Sequence, residues 1–143
     1  MLVAVTHKLW MDGVSPRCPG ITNLKGLVIS ALNSAVQDPN RAITDQVLFA
    51  VSNLAGYEVL FGNKATYEIH MNGLTRIIRL RGGMGNLGFE GGLERMLLWH
   101  DMNFSSIARH EPYLEGLATT PRLHAAKPDP GAITGGIIKT HPK

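Results

Sequence analysis

Between residues 44 and 109 three amphipathic stretches alternate with two glycine-containing breaks, and this rhythm limits the possible folds more than any other feature of the chain. In the first stretch Val47, Val51, Leu54, Glu58 and Phe61 recur at the three-and-four spacing of one helical face, flanked by Ala50, Ala55 and Tyr57. Thr44 predicts an N-cap, Asp45 puts negative charge where the helix dipole favours it, and Gly62 is expected in the left-handed position that ends a helix. Tyr67, Met71, Leu74, Ile77 and Ile78 define the face of the second stretch, which Leu80 widens and Gly82-Gly83 terminates. The third runs from about Gly91 to Arg109, with Leu93, Met96, Leu97, His100, Phe104 and Ile107 on one side and Trp99 and Met102 expected to broaden it. The break at Gly62-Asn63 is so short that the first two stretches should be antiparallel neighbours.

A further helix is predicted from about Thr22, as N-cap, to Gln37, because Leu24, Leu27, Val28, Ala31, Leu32 and Ala35 share one face. Asp38-Pro39-Asn40 stops it, since the residue before proline is driven out of the α region. Residues 1–21 hold Gly13, Pro16, Pro19 and Gly20 and read as an irregular lead-in, with Leu9-Trp10 as a short apolar anchor. Residues 111–143, rich in proline and glycine, read as a loosely ordered tail. The expected architecture is all-α: a small bundle of about four main helices over residues 22–110 between that lead-in and that tail.

Composition narrows the function classes. A chain of 143 residues makes one domain, long enough to bury roughly 70% of its unfolded surface without staples. One cysteine, Cys18, leaves no internal disulfide and no multi-cysteine zinc site. A net charge of +3 with dispersed basic residues lacks the dense stripe of a nucleic-acid footprint. The apolar start at Met1 to Val5 is too short for a secretory core, and no apolar run spans a bilayer, so the chain is expected to be intracellular.

Several motifs have a chemical and a structural reading. Gly83-Met84-Gly85-Asn86-Leu87-Gly88 satisfies the dinucleotide-loop pattern, but that chemistry needs a preceding strand and a βαβ unit, whereas here a helix precedes it. It is expected to be a helix–helix turn. His100-Asp101 and His110-Glu111 fit no common ligand spacing, and Ser105-Ser106 near His110 lack the strained elbow that exposes a nucleophile. No catalytic, cofactor-binding or metal-ligating residue is therefore assigned. Glu58, His70 and Asp101 each fall in or beside an apolar stripe, where a lone charge is costly, so they should pair with Arg76, Arg79, Arg81, His100 or a backbone amide. With Trp99, these residues form either an interhelical polar network or the wall of a pocket. Arg76 and Arg79 share a side from which Arg81 turns away, which makes a continuous phosphate-binding row doubtful.

Taken in order, Asp38-Pro39, Thr44-Asp45, Leu54-Ala55-Gly56-Tyr57-Glu58, Phe61-Gly62-Asn63, His70-Met71-Asn72-Gly73-Leu74, Leu80-Arg81-Gly82-Gly83, Leu87-Gly88 and Leu98-Trp99-His100-Asp101 resemble the regulatory (middle homology-like) region of fungal-specific zinc-cluster-type transcription factors. The likeness covers about residues 24–110. It implies an all-α region that follows a DNA-binding zinc cluster and mediates regulation or partner contacts in the nucleus. That cluster needs six cysteines and only Cys18 is present, so direct DNA binding does not carry over. What remains resembles a fragment, a truncated product or a stand-alone relative of the regulatory module, and the resemblance supplies no catalytic residues.

The expectation is a non-enzymatic regulatory or protein-interaction domain that self-associates or binds a protein partner, without direct nucleic-acid or membrane contact and without a cofactor. If residues 97–109 normally pack on further helices, an apolar patch should be exposed there. The competing expectation is a small-molecule effector sensor with a pocket lined by His70, Arg81 and Trp99.

Overall fold

In the computed structural model, which describes residues 2–119, six helices follow one another and no strand occurs among the described residues: α1 (Leu2–Met11), α2 (Pro19–Val36), α3 (Pro39–Ala42), α4 (Asp45–Phe61), α5 (Lys64–Leu80) and α6 (Gly92–Ala108). The four long helices α2, α4, α5 and α6 are those that the periodicity predicts. Of the expected tail, residues 120–143 lie outside the described residues.

The expected irregular lead-in instead contains α1. The breakers that argued against structure are gathered between Gly13 (φ +82°) and Gly20, leaving residues 2–11 free to coil. Leu2 and Thr6 are buried, and the Thr6 hydroxyl donates to the Leu2 carbonyl at 2.8 Å. Downstream, the Tyr57 hydroxyl donates to the Pro16 carbonyl at 3.2 Å and ties the linker to α4. Helix α2 begins three residues before the expected Thr22, with Cys18 at the N-cap and Pro19 in the first turn, where its fixed φ and missing N–H suit a helix start. Beyond its end Asp38 caps the single turn α3, accepting from the Asn40 amide at 2.9 Å.

Thr44 caps α4 by accepting from the Val47 amide at 3.4 Å, and Asn63 caps α5 by accepting from the Thr66 amide at 2.8 Å. Gly62 does not take the expected left-handed conformation (φ −107°, ψ −129°). Its value there is steric: a Cβ would overlap the Glu58 carboxylate. Gly82 and Gly83, at φ +90° and +104°, do end α5 as expected. The glycine-rich segment that follows is a one-turn 3-10 helix (Met84–Asn86) and a tight turn, lying between two helices.

Two apolar clusters meet on α4. The larger joins α4, α5 and α6 through Leu48, Val51, Ala55, Tyr67, Met71, Leu74, Ile78, Leu97 and Phe104, and Met84 and Leu87 of the glycine-rich connection fill its edge. The smaller joins α1 and α2 to the opposite flank of α4 through Leu2, Ile21, Leu54 and Tyr57. Helix α4 therefore needs apolar residues nearly all round, and it buries a continuous run from Leu54 to Glu58. Residues 111–119, assigned to the loose tail, pack too: Leu114 is fully buried in the larger cluster. Trp99, expected to widen the buried side of α6, is 57% exposed.

Candidate functional site

The polar residues singled out in the sequence do not converge on one site. They separate into small, mostly closed contacts distributed along the bundle.

Glu58 is almost completely buried between α2, α4 and α5. Lys25 of α2 forms an ion pair with its Oε1, a contact of charges rather than an aligned hydrogen bond. The same ammonium lies 4.8 Å from the Tyr57 ring centroid, and the Asn63 amide donates to Glu58 Oε2 at 3.3 Å. His70 is next to this pair. Burial lowers its pKa from 6.5, Glu58 partly restores it, and Lys25 lowers it further. Its Nε2 is buried without a hydrogen-bond partner among the described residues. Lys25 is a functional partner that the sequence reading missed. The available signal was that it is the sole charge in the eighteen residues of α2.

At the far end of α5, Arg81 turns inward, forms an ion pair with Asp45 and donates to the Ile43 carbonyl at 3.0 Å. Asp45 also accepts from the Gly88 amide at 3.4 Å, so this contact fastens the glycine-rich turn to the start of α4. Contacts of α4 and α5 at both ends in reverse order make the two helices antiparallel. Arg76 and Arg79 stay exposed on the outside of α5 and join none of the other groups.

On α6, Asp101 is 1% exposed and accepts from the Tyr113 and Leu114 amides at 3.0 and 2.7 Å. Burial raises its pKa above 3.8 against the opposing pull of the Leu114 and Tyr113 amides. His100 shares a 2.8 Å hydrogen bond between Nδ1 and Ser52 Oγ, stacks on Phe104 with centroids 5.2 Å apart, and has its pKa lowered from 6.5 by burial. A serine hydroxyl on an imidazole is the beginning of a nucleophile–base pair, but Ser52 is itself buried. The neighbouring carboxylate, Asp101, holds backbone amides instead of orienting the imidazole. The pair is a link between α4 and α6.

His70, Arg81 and Trp99 are not brought together: His70 lies near the middle of α5, Arg81 caps its C-terminus eleven positions on, and Trp99 faces outward. Two clefts exist elsewhere. One of about 270 Å³ lies beside the Glu58–Lys25 pair, with Tyr57 and Phe61 on its apolar side and Arg17, Thr22 and Asn63 on its polar side. The other, about 410 Å³, separates α2 from the beginning of α4 and is mostly apolar. The described residues contain no cluster of three or more His, Cys, Asp or Glu side chains able to hold a metal, and no described helix is long and apolar enough to cross a membrane.

The described residues form a small all-α domain in which polar side chains join neighbouring helices. The fungal specific transcription factor domain matches residues 13–132, and the chain belongs to that family. Nothing among curated proteins or solved structures matches it.

Proposed function

We propose that this chain is a non-enzymatic interaction domain of a nuclear transcription regulator, working through protein contacts and not through DNA of its own. One observation carries the reading: large apolar side chains stand exposed on outer faces, among them Leu27 (69%), Ile69, Leu80, Phe89 and Trp99, while most of the candidate polar groups are turned inward onto neighbouring helices. Exposed aromatic and aliphatic residues supply much of the binding energy in protein interfaces. This surface is distributed over α2, α5, the glycine-rich turn and, at Trp99, α6, and is not concentrated along residues 97–109.

The test is to tether the full chain to a heterologous DNA-binding module and measure reporter transcription. A reproducible change in output supports the reading; output equal to that of the module alone refutes it. The untethered chain should show no salt-dependent affinity for duplex DNA.

The cleft beside Glu58 and Lys25 supports a second reading, small-molecule sensing, at a place different from the one the sequence suggested. A rise in unfolding temperature with an aromatic carboxylate such as benzoate, lost in Arg17→Ala, supports it; no change at saturating concentration dismisses that ligand class.

A further inference from the structure

Helix α2 is the least covered of the four long helices. Of its eighteen residues only Ile21 and Ala35 are buried; Leu24, Val28 and Leu32 pack in part on the core, and Leu27, Ile29 and Val36 stand exposed. Gly20, Leu24, Leu27, Ala31 and Ser34 recur at four-three-four-three spacing, the seam of a helix–helix contact, and all but the half-buried Leu24 are exposed. Beside this row runs the 410 Å³ cleft, walled by Val28, Ala31, Leu32, Ala35, Val47 and Ala50.

We propose that this face joins two copies of the chain in a symmetric dimer, with α2 crossing its counterpart antiparallel and Leu27 of each copy entering the cleft of the other. The proposal rests on the interaction-domain reading and names the partner.

Charge is the first argument for a second copy. A two-fold axis sets a surface against itself, so any single-sign charge on it repels its own image. The one charge of α2, Lys25, is turned inward onto Glu58 and Tyr57, and the seam has none. Foreign partners are commonly selected by complementary charge, and here only Arg41, on the cleft wall, offers any. Shape is the second argument. The protruding Leu27 and the cleft residues Ala31 and Ala35 lie one to two turns apart on the same helix. A two-fold axis between Ser30 and Ala31 therefore sets Leu27 against Ser34 in both directions at once. Small residues at 31 and 34 let the backbones approach, and the antiparallel crossing opposes the two helix dipoles.

Light scattering on the full chain, over a wide range of concentration, is the test. The expected result is a mass of two chains that falls to one on dilution. Leu27→Asp should weaken association about tenfold or more. Its circular dichroism and thermal midpoint as a monomer should be unchanged, because Leu27 is already exposed. Ile69→Asp, an exposed apolar change on α5, should leave association intact. In a Cys18→Ser background, Ala31→Cys should oxidise to a single cross-linked dimer. A monomer at every concentration overturns the proposal, and a monomer whose α2 amides nonetheless resist hydrogen exchange shows the cleft filled from within the chain. A dimer broken by Ile69→Asp and indifferent to Leu27→Asp also overturns it. Reporter activity that persists in a strictly monomeric chain sinks the dimer and spares the regulatory reading; a dimer without reporter activity does the reverse.

Discussion

Tyr67 is fully buried, edge-on to Tyr113 with ring centroids 6.0 Å apart, yet its hydroxyl has no hydrogen-bond partner among the described residues. Desolvation raises its pKa, with smaller contributions from Asp101, Tyr113 and Glu68, so the group stays neutral. A buried, unpaired hydroxyl costs free energy, and removing it without changing the ring shape should stabilise the fold. Tyr67→Phe is expected to raise unfolding free energy by about 1 kcal/mol in a urea titration; a loss of that size would show that the hydroxyl has a partner. Asp101 is the opposite case. Its carboxylate satisfies two amides, one of them at the fully buried Leu114, so Asp101→Ala should cost about 3 kcal/mol by the same measurement. Proteolysis between residues 110 and 119 should increase in parallel. The need for partners at Glu58 and Asp101 was legible in the sequence, because a carboxylate within an apolar stripe must be compensated. A backbone amide was among the expected partners, and Asp101 meets two, but which amides, and Lys25 for Glu58, were not legible. Lys25 is thirty-three positions away on another helix, and the amides of Tyr113 and Leu114 carry no side-chain signature at all.

Among the helices, α4 decides how closely its neighbours approach. A Cβ on Gly56 would lie 2.6 Å from Phe104 Cζ, so this glycine sets the approach of α4 to α6. Gly56→Ala gains helix propensity but forces a buried ring that is already stacked on His100, and a net loss of about 1–3 kcal/mol is expected. Gly73 in α5 provides the contrast: nothing lies within 4 Å of its Cβ position, so Gly73→Ala should stabilise by about 0.5–1 kcal/mol. Thermal unfolding of the two variants should move in opposite directions; movement in the same direction would place the α4–α6 contact elsewhere. Periodicity located α2, α4, α5 and α6 because each is long and carries a repeated apolar face. It missed α1, whose ten residues carry too few turns for a period to stand out and whose burial depends on α2 and α4. It also placed Trp99 inside, since spacing reveals that a residue neighbours an apolar stripe but not where the partner helix stops.

For the molecule as a whole, the polar links between helices couple the packing to pH. His100 holds α6 to Ser52 of α4, and His70 lies beside the Glu58–Lys25 pair that joins α2 to α4. Burial is the main reason that both imidazoles have pKa values below 6.5 in the folded chain. Once unfolded, they take protons near 6.5. Between their lowered folded values and 6.5 the unfolded state binds more protons, so stability must fall as pH falls through that window and must be unaffected by these groups above it. Asp101 acts in the other direction. Its folded pKa lies above 3.8, so the folded state protonates first, and acidification through that value returns stability at the acid end only. The thermal midpoint is therefore expected to hold steady just above neutrality and to decline as the pH falls below about 6.5. His100→Gln should shallow the decline, and His70→Gln combined with it should remove most of what remains. A midpoint that stays level or climbs over the same interval in the unaltered chain would show that neither imidazole is held neutral by the fold. The α4–α6 junction would then have to rest on the packing of Phe104 against Gly56 without help from the Ser52–His100 bond.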